Sequence, residues 1–74
     1  MDNKERMVLR LLDGASKNST DVKVAALLAI GESGLIDDNR LVNALEDASK
    51  LSSTSVKTAA LTAIGSMLKN ANRQ

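Results

Sequence analysis

Apolar residues recur along the whole chain at helical spacing. Between residues 4 and 17, Met7, Val8, Leu11, Leu12 and Ala15 fall on one face, and Asp2 with Glu5 three residues on makes a capping box at the start. A second helix is predicted over about 21–33, capped by Ser19, Thr20 or Asp21. Its run from Val22 to Ile30 is apolar nearly all round, which predicts burial on several sides, and Gly34 suits the position just past its end. Asp37 or Asp38 opens a third helix carrying Leu41, Val42, Leu45 and Ala48. Ser53, Thr54 or Ser55 opens a fourth, with Val56, Ala59, Ala60, Ala63, Ile64, Met67 and Leu68. The end, residues 69–74, reads as a frayed tail. Asp37-Asp38-Asn39 lacks the glycine and distal glutamate of a calcium loop, so its carboxylates read as caps.

The pattern occurs twice. Ala15-Ser16-Lys17 returns 33 residues later as Ala48-Ser49-Lys50. Val22-Lys23-x-Ala25-Ala26-Leu27-x-Ala29-Ile30-Gly31 returns 34 residues later as Val56-Lys57-x-Ala59-Ala60-Leu61-x-Ala63-Ile64-Gly65. A period of this length marks stacked two-helix units. The expected fold is all-α: four helices as two stacked antiparallel hairpins, with repeat one at about 4–34 and repeat two at about 37–68.

Asp-Val-Lys-x-Ala-Ala-x-x-Ala-Ile-Gly, at Asp21–Gly31, resembles the second helix of a HEAT repeat. It is most similar to the short HEAT-like form of phycobilin lyases and of many bacterial and archaeal adaptor proteins. The resemblance covers about residues 4–68 and implies a minimal HEAT-like α-solenoid. It also implies an Asp-to-base ladder between neighbouring helices. Asp21, Lys23 and Lys57 match that ladder, whereas Ser55 stands where a second Asp would be. No residue matches a chromophore or lyase site.

Composition narrows the chemistry. The 74 residues include no Cys, His, Pro, Phe, Tyr or Trp, which excludes disulfides, thiol or histidine catalysis and aromatic platforms. The acidic residues sit at caps or on solvated faces, and a serine nucleophile would find only lysines as bases. The chain is therefore expected to be no enzyme and to need no cofactor or metal. No run reaches the roughly 18 apolar residues of a membrane span, and the charged start, Asp2 to Arg6, is not followed by a signal-peptide core. The expected compartment is the cytoplasm, with no membrane partner. A net charge of +1 argues against a nucleic-acid binder. The alternative is a small nucleic-acid-binding regulator using a strip of Lys17, Lys23, Lys50 and Lys57.

Differences between the copies predict where a partner docks. On helical wheels, Met7, Leu11, Val24 and Leu28 share one side of repeat one; their counterparts are Arg40, Ala44, Thr58 and Thr62. This shift toward small and polar residues predicts that repeat two packs on that side and caps the stack. Val42, Leu61 and Ile64 would then be buried against repeat one, and their counterparts Leu9, Leu27 and Ile30, with Lys23 at their rim, would lie on the uncovered end. Either the N-terminal residues shield them or they dock onto something. The favoured expectation is a non-enzymatic protein–protein interaction or scaffold module that forms a two-fold homodimer through these residues, or binds another protein there.

Overall fold

The computed structural model describes residues 2–71. They form four helices: α1 (Asn3–Ala15), α2 (Thr20–Ser33), α3 (Asn39–Ser49) and α4 (Thr54–Ala71). Three helix starts are fixed by side chains that accept the otherwise unpartnered N–H groups of the first turn. Asp2 Oδ1 accepts from Glu5 N at 2.7 Å, Ser19 Oγ from Val22 N at 3.4 Å, and Asp38 Oδ1 from Arg40 N at 3.0 Å. For α4 the Ser53 carbonyl accepts from Lys57 N at 2.9 Å. Gly34 ends α2 in the left-handed region at φ 63°, its N–H donating to the Gly31 carbonyl.

α1 packs on α2 and α3 on α4, giving two hairpins. The hairpins stack chiefly through α2 against α4, the most extensive contact between any two helices, with α1 and α3 meeting alongside. The chain measures 32 × 26 × 16 Å, a slab two helices thick, so each hairpin covers the other on one side only. The core comprises Val8 from α1, Leu27 and Ile30 from α2, Leu41 and Leu45 from α3, and Val56, Ala60, Ala63 and Met67 from α4. Small residues let the inner helices approach closely. A Cβ placed on Gly31 would lie 2.5 Å from the Ala63 carbonyl oxygen.

Two expectations require correction. Leu27 and Ile30 are not on an open end: both are 0% exposed, inside the core. Repeat two packs on the side of α2 that carries Leu27 and Gly31, opposite to the side inferred from the wheels. Because α2 is apolar around most of its circumference, its pattern does not distinguish which side meets the neighbouring unit. Consequently Met7 and Leu28 are exposed. The second correction concerns the tail. Residues 69–71 continue α4, and Asn70 Nδ2 donates to the Glu32 carbonyl at 3.1 Å, tying the two inner helices together near their ends. The rest of the predicted tail, 72–74, lies outside the described residues.

Candidate interaction surface

The four residues predicted to form one docking patch are dispersed. Leu9 remains exposed on the outer side of α1, beside Arg6, Arg10 and Asp13. Lys23 is half-buried at the seam between the hairpins, bordering a depression of about 230 Å³ together with Leu12, Ala44, Asp47 and Leu51. Leu27 and Ile30 belong to the core. No surface contains all four.

The lysine strip is also broken up. Lys17 Nζ lies 3.4 Å from Asp13 Oδ2, one helical turn away. Lys50 and Lys57 are exposed, while Lys23 is partly covered. Nor is the Asp-to-base ladder formed. Among the described residues the ion pairs are Lys17–Asp13, Arg40–Glu5 and Arg40–Asp38, and Asp21 stands exposed.

The polar centre that does exist lies on the seam between the hairpins. Arg40 Nη1 and Nη2 donate to Glu5 Oε2 and Oε1 at 2.7 and 2.8 Å, while Nη2 and Nε reach Asp38 Oδ2 and Oδ1 at 2.7 and 3.1 Å. Hydrogen bonds from the guanidinium hold both carboxyls below their ordinary pKa, and the two carboxylates in turn raise that of Arg40. All three groups are accessible to water. Asp38 and Arg40 border a hollow of about 430 Å³, but with its carboxylates already engaged by Arg40 this centre is arranged as a clamp between units.

An apolar-lined groove lies elsewhere, at the outer end of the second hairpin. Its volume is about 240 Å³, and it runs between α3 and α4, lined by Leu45, Ile64 and Met67, with Ile36, Val42 and Leu68 beside them and Glu46 as its charged group. Leu68 is 54% exposed there, and Leu61 on the same helix is 56% exposed. The expected exposure of Thr58 and Thr62 holds, but the expected burial of Leu61 against repeat one does not: Leu61 faces water and Val42 and Ile64 are only partly covered, because repeat one packs on the Ala63 side of α4. The signal available was that Leu61, Ile64 and Gly65 repeat Leu27, Ile30 and Gly31 without change.

Among the described residues no helix is long and apolar enough to cross a membrane. Comparison of the chain with protein-family models, with curated proteins and with solved structures gives no match.

Proposed function

We propose that this chain is a non-enzymatic protein–protein interaction or scaffold module of the HEAT-like kind, acting in the cytoplasm and associating with copies of itself. The observation that carries the reading is the apolar groove at the outer end of the second hairpin, where large aliphatic side chains face water and Glu46 is the single charged lining group. Isolated exposed leucines are ordinary on a small protein, but several grouped beside a groove favour a contact surface.

Sedimentation equilibrium from micromolar to about millimolar protein, at low and high salt, tests it. Association that rises with concentration and survives high salt is the expected result, because apolar burial is not screened. Binding of a short DNA or RNA duplex that weakens steeply with salt, with no self-association, would favour the nucleic-acid alternative and overturn the reading.

A further inference from the structure

We infer that the chain stacks head to tail, the outer face of α4 in one copy (Leu61, Gly65, Leu68) receiving the outer face of α2 in the next (Val22, Ala25, Ala29). This deepens the self-association reading and rests on it.

The template is the junction inside the chain. There α2 presents Leu27 and Gly31 to α4, and α4 answers with Ala63, preceded by Ala59 one turn earlier on the same face. Each half of this junction recurs, unused, at an open end. Leu61 and Gly65 repeat Leu27 and Gly31, and all of the repeated pair is exposed. Val22, Ala25 and Ala29 repeat Val56, Ala59 and Ala63; the first set is exposed, the second buried. One end therefore carries a free copy of the receiving surface and the other a free copy of the inserting surface. Applying the step from hairpin one to hairpin two once more places the next copy's α2 on this α4.

Gly65 is the most informative residue. A glycine inside a helix costs about 1 kcal/mol relative to alanine. At position 31 the Ala63 backbone requires it, whereas nothing lies within 4 Å of a Cβ placed on Gly65. Within a single copy Gly65 has no packing role. With Ala29 of a second copy lying across it, it has the role of Gly31.

The two surfaces are different, so the contact is heterologous and does not close on itself as a two-fold dimer does. Sedimentation velocity distinguishes the two. The wild-type chain should grow past a dimer as concentration rises. Gly65→Ala should weaken association by about tenfold or more, the overpacking that a methyl causes at such a junction, while its thermal unfolding midpoint stays level or rises. Ala29→Arg should weaken association to a similar extent from the other end. An equimolar mixture of the two variants should form a discrete heterodimer, because each retains the face the other lacks.

A mass that plateaus at dimer, or association indifferent to both substitutions, would overturn head-to-tail stacking and leave self-association standing. A monomer at every concentration would overturn both.

Discussion

Arg40 of the second hairpin grips Glu5 of the first with both terminal nitrogens, at 2.7 and 2.8 Å, while holding Asp38 of its own helix cap with the same guanidinium. Its counterpart in the first hairpin is Met7, which faces water at the free end. Where the hairpins meet, a charge bridges two carboxylates; where the first hairpin ends, the equivalent position is apolar. The polar substitution thus marks the seam between hairpins.

This clamp predicts an acid sensitivity. Glu5 and Asp38 have pKa values lowered by Arg40, so their contribution is complete above the ordinary carboxylate range and lost as pH falls from about 4 through the lowered folded-state values. Arg40→Met should remove that slope. Urea unfolding followed at neutral pH and at successively lower pH should show the wild type losing midpoint faster than the variant. Because all three groups are in water, high salt should diminish the difference. Parallel slopes for the two proteins would contradict the clamp's role.

Gly31 and Gly65, equivalent in sequence, should respond oppositely to alanine. At position 31 the methyl meets Ala63 backbone at 2.5 Å, so Gly31→Ala should cost about 1–3 kcal/mol from forced separation of the inner helices. At position 65 the methyl has open space, and Gly65→Ala should gain up to about 1 kcal/mol in dilute solution from helix propensity. Denaturant titrations of the two variants at low concentration provide the measurement. A loss at both positions would mean that Gly65 is packed within the single copy.

How much of this was legible beforehand differs from feature to feature. The helices were readable because Asp2, Ser19 and Asp38 sit directly before apolar periodic runs and Gly34 directly after one. The pairing into hairpins followed from the repeat. What the pattern left undetermined is the side of α2 that meets the second hairpin. Val22 through Ile30 offers apolar residues in nearly every direction, so burial of Leu27 rather than Leu28 depends on the hand of stacking, a property of both hairpins together. The role of Arg40 was equally hidden, since Glu5 lies 35 residues away. The dispersal of Leu9, Leu27, Ile30 and Lys23 follows from the first of these gaps.

The end of α2 depends on one backbone conformation. Gly34 adopts φ 63°, where any L side chain crowds the following carbonyl. Gly34→Ala should destabilise the chain by about 1–2 kcal/mol, and Gly34→Asn by less, since asparagine tolerates the left-handed region better. Far-ultraviolet circular dichroism melts of the three proteins should rank glycine, asparagine, alanine from most to least stable. Alanine equal to glycine would show that α2 can end in another way.

The same leucine occurs at two equivalent positions, one covered and one bare. Leu27 is fully buried between the inner helices, whereas Leu61 is largely in water. Leu27→Ala removes apolar contacts and leaves a cavity that the packed neighbours only partly fill, at a cost of about 2–5 kcal/mol. For a chain this small, such a loss approaches the whole stability and should leave much of it unfolded at room temperature. Leu61→Ala deletes a side chain that already faces solvent and replaces it with a better helix former, so stability should change by less than about 0.5 kcal/mol. Guanidinium unfolding at micromolar concentration, where association is least, isolates these folding effects. Similar losses for the two variants would place Leu61 in the core and reverse the assignment of inner and outer faces. A near-neutral Leu27→Ala would show that the second hairpin does not pack where α2 and α4 are seen to meet.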